Sequence, residues 1–269
     1  MRIEPSCVWT NFQAIQKLSP LVHNITNFVV MEQTANCLLA IGASPVMAHA
    51  LEEVEDMARM AHALVLNLGT LSPAWVEAMG LAQKAANARG ISVVLDPVGA
   101  GATPYRTEAA LSLLDNGTIT AIRGNASEIA SLHGISSQTR GVDSKLDAAD
   151  CQEIAKALAH QRNCIVWMSG STDVITDGKS IVLVRNGHAW MSKVTGMGCT
   201  ATAVTAAFLA TNSDPLLACA YAAIVMGTAG ELASERATGP GSFKTAFSDV
   251  LFNMTLTQIQ EHIDVEMRN

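Results

Sequence analysis

Ala63-Leu64-Val65-Leu66-Asn67-Leu68-Gly69, followed by Ser72-Pro73 and an Ala-rich run, then by Gly90 and Ser92-Val93-Val94-Leu95-Asp96, decides the fold of this chain. Each flanking run is short, apolar and bounded by turn residues, as a strand buried on both faces must be. Between them, Ser72 is placed as an N-cap, Pro73 as the first helical residue and Gly90 as the terminator of a helix over 74–89. A strand, a crossover helix and a second strand make a parallel unit.

The same rhythm extends both ways. Upstream, Val29–Ile41 predicts a helix stopped by Gly42, Ser44–Ala48 a strand, and Leu51–Ala61 a second helix with Glu52, Glu53, Glu55 and Asp56 near its start. Downstream, a helix is predicted near Thr107–Asp115 and a strand over Thr118–Arg123 that runs into Gly124-Asn125-Ala126-Ser127-Glu128 and a helix. A helix over Asp147–Arg162 and a strand over Cys164–Met168 follow. Asp173–Thr176 and Ser180–Val184 then flank Asp177-Gly178-Lys179, a hairpin signal. A second turn at Asn186-Gly187 predicts His188–Val194 as a further antiparallel strand. Beyond Cys199 helices are expected over 199–211, 214–236 and 241–265. The expectation is one α/β domain over 1–269, a mostly parallel sheet with an antiparallel edge, and a polar surface loop at Ser136–Asp147.

Composition narrows the function. The 269 residues are 49% hydrophobic and 15% charged, against a usual charged fraction of about 25%. A chain that needs so little polar surface suits a large core and burial in an oligomer. The net charge is −7 and the 17 Lys and Arg residues are dispersed, so no basic stripe exists for a nucleic-acid backbone. The six cysteines lack any CxxC spacing, and the first residues lack a signal-peptide pattern. A reducing cytoplasm is therefore expected, and no membrane helix, because Gly, Asn or Asp interrupts the apolar stretches.

In open α/β sheets ligands bind at the carboxyl ends of the strands. Here those ends carry Asp96-Pro97-Val98-Gly99, Arg123-Gly124-Asn125, Ser169-Gly170 and Thr195-Gly196-Met197-Gly198-Cys199. Two glycines ahead of a helix let successive N–H groups face one point, where the helix end favours an anion; a tight strand–helix turn explains the same residues. Cys199 at the helix mouth reads as a thiol of depressed pKa that accepts a proton, or as a small residue filling the turn. Asp96 and Glu128 suit a magnesium ion, which uses one or two carboxylates plus phosphate oxygens. Glu128 equally fits a capping box with Asn125. Arg123 ends an apolar strand at the ligand edge and calls for an anion, either a nucleotide phosphate or Glu128.

Taken in order, these motifs resemble the hydroxyethylthiazole kinase family of the ribokinase-like superfamily. Thr195-Gly196-Met197-Gly198-Cys199 resembles the superfamily's anion hole, with cysteine where aspartate is usual. His23-Asn24-Ile25-Thr26-Asn27 and Ser44-Pro45-Val46-Met47-Ala48-His49 also match the family pattern, and the likeness runs from about residue 15 to 265. The resemblance implies a three-layer αβα sandwich and ATP-dependent phosphorylation of a small heterocyclic alcohol in thiamine assembly. It implies Met47, Gly196 and Asn24 as alcohol contacts, Arg123 and Ser169 as ATP contacts, Asp96 and Glu128 around Mg²⁺, and Cys199 with Gly198 at the reacting hydroxyl. Ser169 stands where threonine is expected and keeps the hydroxyl. Homotrimers with sites near subunit boundaries are implied too. Three rival readings are a hydroxymethylpyrimidine or pyridoxal kinase of the same fold, a Cys199 thiol hydrolase or acyltransferase, and a catalytically silent metabolite sensor. The first expects aspartate at 199, and the second a nearby histidine base.

Overall fold

The computed structural model of the protein describes residues 3–135 and 148–268. The loop expected at Ser136–Asp147 lies outside them. Among the described residues one nine-stranded sheet has the order β2-β1-β3-β4-β5-β6-β7-β8-β9. The first six are parallel: β1 (Leu21–Ile25), β2 (Ser44–Val46), β3 (Ala63–Asn67), β4 (Ser92–Asp96), β5 (Ala121–Asn125) and β6 (Ile165–Ser169). β7 (Asp173–Thr176), β8 (Ile181–Val184) and β9 (Val265–Arg268) continue it antiparallel. The architecture is the expected αβα sandwich.

Strand residues alternate between two buried layers, so every apolar strand position has a core to fill. Val65 and Val94 join one core, with α1 (Pro5–Leu18), α2 (Met31–Ala40), α8 (Met197–Leu209), α9 (Pro215–Arg236) and α10 (Pro240–Phe252). Leu64, Leu66, Val93 and Leu95 join the other, with α3 (Val54–Met60), α4 (Pro73–Arg89), α5 (Pro104–Asn116), α6 (Ala126–Leu132) and α7 (Ala148–Arg162). Ser72 caps α4 by accepting the Trp75 N–H, and Gly90 ends it in the left-handed conformation, both as read from the sequence.

The chain departs from expectation at four places, the first being α1, which was not anticipated. His188–Val194 is not a strand: Ala189–Lys193 forms a 3-10 helix that His188 caps by accepting the Trp190 N–H. The third antiparallel strand is β9 instead. It follows a break at residues 253–255, so the expected helix 241–265 becomes α10 and α11 (Leu256–His262). β1 was not anticipated because His23 and Asn24 interrupt its apolar run; both are buried. α9 is long and apolar enough to cross a membrane, yet 89% of its most apolar window is buried within the protein.

Candidate active site

The strand order reverses between β1 and β3, which opens a crevice at their carboxyl ends. Asn67 ends β3 and Asp96 ends β4, paired in register. Asp96 is 2% exposed, and its Oδ2 accepts from Asn67 Nδ2 at 2.7 Å and from Thr202 Oγ1 on α8 at 2.8 Å. Asn67 Oδ1 accepts from the Gly69 N–H and from Asn27 Nδ2, at 3.0 and 2.8 Å. Asn27 Nδ2 also lies 3.5 Å from Cys199 Sγ. A buried polar chain thus joins Asp96 to Cys199, with the backbone donor of Gly69 fixing which way the Asn67 amide points.

Burial raises the Asp96 carboxyl to about 6; Glu128 adds to the rise, and Arg123, Thr202 and Asn67 oppose it. Cys199 departs from expectation. Burial pushes its thiol up to about 12, and nearby Asp96 adds to that against Asn67, Asn27 and Arg123. The helix end does not win, because the thiol sits inside the protein beside a carboxylate rather than in an electropositive, open setting. No histidine is among its hydrogen-bond partners in the described residues, which removes the support a thiol hydrolase needs.

Glu128 closes the capping box: Asn125 Oδ1 accepts the Glu128 N–H at 2.9 Å, and Glu128 Oε2 accepts the Asn125 N–H at 2.9 Å. Its other oxygen accepts the Gly99 N–H at 2.8 Å, joining the loop after β4 to the start of α6. Each carboxylate oxygen keeps a free lone pair, and both hydrogen bonds to Asp96 fall on Oδ2, leaving Oδ1. Two carboxylates, with Glu128 close enough to add to the rise of Asp96, fit a magnesium ion, which takes its remaining ligands from phosphate and water. Among the described residues no group of three or more His, Cys, Asp or Glu is disposed to hold a metal; two are all that this ion requires.

Arg123 lies on β5 with its guanidinium 5.5 Å from the Trp167 ring centre. It forms no ion pair among the described residues, so Glu128 is not its partner, and its buried Nε lacks any hydrogen bond. A cation stacked on an aromatic face and left unpaired is prepared for an anion. Its Nη1 would lie 2.5 Å from a Cβ placed on Gly198, so only glycine admits the guanidinium against the start of α8. Gly196, the N-cap of α8, has φ of 91° and rests against Val30, a left-handed conformation that a side chain would strain. Arg123, Gly198 and Ser169 border a cleft of about 650 Å³ that continues to Asn186, Met197 and Gly227. Ser169 Oγ donates to the Gly124 carbonyl at 3.3 Å.

The two remaining expected positions lie at the far side of the crevice. Met47 follows β2 directly and is half-buried. Its loop is held by His23, which meets the Ala48 carbonyl at 2.7 Å and which burial keeps neutral by lowering its pKa. Asn24 is buried on β1 and donates to Val22 O at 2.9 Å; it is Asn27, three residues on, that contacts Cys199. Beside this end His49 stacks on Trp75 at 4.1 Å, and Phe28 meets Trp75 edge-on at 4.7 Å. An apolar, aromatic wall of this kind suits a small heteroaromatic ring.

Several contributors went unread in the sequence. Asn67 and Thr202 carry no charge, and nothing local marks them, although a polar residue ending an all-apolar strand is the signal Asn67 shares with Asp96. Arg106 on α5 donates to Leu68 O, Gly69 O and Val98 O at 2.7, 2.7 and 2.8 Å, tying the loops after β3 and β4 together. Its role depends on three carbonyls brought together by folding.

The family model for the hydroxyethylthiazole kinase family matches residues 12–257. A hydroxyethylthiazole kinase of Oleidesulfovibrio alaskensis is 52% identical over 262 residues, which cover 97% of this chain and 98% of that one. One of Syntrophus aciditrophicus is 50% identical, covering 98% of each. The solved structure of a hydroxyethylthiazole kinase protein from Pyrococcus horikoshii superposes with a TM-score of 0.91 at 40% identity, covering 98% of this chain and 100% of its own. A pyridoxal kinase from Staphylococcus aureus, at 19% identity and a TM-score of 0.65 over 93% of this chain and 98% of that one, shares the fold. With its unpaired arginine set against a glycine-led helix and a carboxylate–amide chain beside it, the chain belongs to the hydroxyethylthiazole kinase family.

Proposed function

We propose that the protein transfers the γ-phosphoryl group of ATP to the primary hydroxyl of hydroxyethylthiazole. The observation that carries this reading is the Arg123 guanidinium, unpaired among the described residues and pressed against Gly198 at the start of α8. Arg123, Ser169 and the N–H groups of residues 197–199 hold phosphate oxygens and stabilise the charge that spreads over the phosphoryl group in flight. Asp96, through Oδ1, and Glu128 would hold magnesium, whose charge neutralises the phosphates when it is bound. The thiazole rests between Met47, the Asn24–Asn27 segment and Gly196, with its hydroxyl toward Cys199.

The alcohol oxygen bonds to the γ-phosphorus while the bond from phosphorus to the bridging oxygen breaks, and ADP leaves. With its thiol pushed up to about 12, Cys199 keeps its proton at neutral pH and shapes the pocket. The hydroxyl proton passes late to an oxygen of the transferred phosphoryl group, which a loose transition state permits. Asn27 and Asn67 keep Cys199 and Asp96 in fixed relation throughout.

The working assembly in this reading is a cytoplasmic homotrimer acting on small molecules, with neither nucleic acid nor membrane as partner. Six free thiols support the reducing compartment. Phe28 and Val29, 63% and 65% exposed directly after Asn27, support a subunit boundary at the alcohol end. The test is ATP consumption with Mg²⁺ and hydroxyethylthiazole, hydroxymethylpyrimidine, pyridoxal or ribose. Turnover confined to the thiazole is expected; turnover on another alcohol alone would overturn the substrate, and none on any would overturn the reaction.

A further inference from the structure

The cleft beside Arg123 has a second wall that plays no part in the chemistry above. Asn186 and Gly187 line it, and Glu231 on α9 stands behind them. Glu231 Oε1 accepts the Gly187 N–H at 2.8 Å and Asn186 Nδ2 at 3.1 Å. Its other oxygen lies 2.9 Å from His262 Nδ1 at the end of α11. Asn186 Nδ2 also donates to the His262 carbonyl at 2.6 Å, and Asn186 Oδ1 accepts the Asp264 N–H at 3.0 Å. A Cβ on Gly227 would collide with Asn186, and one on Gly230 with Met191, so the wall rests on bare helix backbone beside Glu231 and one turn before it. One carboxylate therefore ties the turn after β8, the helix α9 and the C-terminal segment into a single support.

We infer that Glu231 is a positioning residue for the nucleotide: with His262 it holds the Asn186–Gly187 turn at the spacing the cleft requires. This rests on the reading that the cleft beside Arg123 takes ATP. Glu231 does not line the cleft itself, and the alcohol end lies across the sheet edge near β1 and β2. Loosening the turn should thus weaken nucleotide binding while sparing the alcohol.

The experiment compares KM for ATP, KM for hydroxyethylthiazole and kcat in Glu231→Ala, Glu231→Gln, His262→Ala and Arg123→Met, with ADP affinity measured by calorimetry. Glu231→Ala leaves the Gly187 N–H without its acceptor and Asn186 with only the His262 carbonyl, and should raise the ATP KM about tenfold. Its kcat and alcohol KM should stay within about twofold. Glu231→Gln keeps an acceptor oxygen and should restore most of the loss. His262→Ala, the milder change because it removes one contact to Glu231 and leaves those to Gly187 and Asn186, should raise the ATP KM about threefold, and it decides the matter if Glu231→Ala fails to fold. Unchanged nucleotide affinity in Arg123→Met would overturn the assignment of the cleft. Weakened affinity in Arg123→Met with an unchanged ATP KM in the Glu231 and His262 variants, or with both KM values raised equally, would overturn the positioning role alone.

Discussion

At the scale of the residue, Asp96 sets a conflict between stability and chemistry. Its carboxyl, raised by burial from 3.8 to about 6, favours the folded state when protonated. That contribution is fully present below the unfolded value and is lost as pH rises through about 6, so at neutral pH the buried charge costs about 3 kcal/mol. Asp96→Asn keeps an oxygen for Asn67 and Thr202, and should raise the melting temperature by about 5 °C at pH 7.5 while abolishing turnover. Calorimetry at pH 3.5 should find the gain gone; an equal gain at both pH values would mean the charge is not its source. For Cys199 the expected result is modest: Cys199→Ser should keep kcat within about tenfold and leave the alkaline limb of the pH profile unmoved. A loss of about a hundredfold or more, with that limb abolished, is what removal of a general base would produce. Asp96 could be read in the sequence as the charge that ends β4, Arg123 as the one charge in β5, and Cys199 from the two glycines ahead of it at the start of α8. Asn67, Thr202 and Arg106 could not, since their partners lie 29 or more residues away or are bare carbonyls.

At the scale of the element, β3 to β6 were legible because each is a short, largely buried run bounded by turn residues, whereas β1, with His23 and Asn24 inside it, was not. The antiparallel edge was only half legible. The strand expected over His188–Val194 from the turn before it yields to a local cap, in which the His188 ring accepts the Trp190 N–H and the chain winds into a 3-10 turn. β9 (Val-Glu-Met-Arg) alternates apolar and charged residues over only four positions, too short a signal to separate from the helix before it, and Arg185 pairs with Glu266 only after β9 meets β8. The start of α8 makes a prediction of its own. Gly198→Ala should displace the Arg123 guanidinium, raising the ATP KM about tenfold or more, and lowering kcat as well because the guanidinium holds the phosphoryl group more strongly in flight than at rest. Titration with ADP checks it, and unchanged affinity would mean that the contact between Gly198 and Arg123 is incidental.

At the scale of the whole molecule, the exposed Phe28 and Val29 and the low charge content support the proposed trimer. Phe28→Ser should shift the species seen by sedimentation from trimer toward monomer, with the alcohol KM rising as protein is diluted; a wild-type chain active as a monomer would overturn the assembly. The site itself is gathered from nearly the whole length of the chain. Asp96 meets Thr202 across 106 residues, and Asn27 meets Cys199 across 172. On a ribosome adding about 5–20 residues per second, some 5–20 s separate the synthesis of Asp96 from that of the helix that shields it. During that interval the strand ends have neither α8 to cover them nor the amide–carboxylate chain to order them. The nascent polypeptide should therefore be open to proteases until α8 emerges, and slowing translation past residue 96 should lengthen that exposure without altering the finished fold.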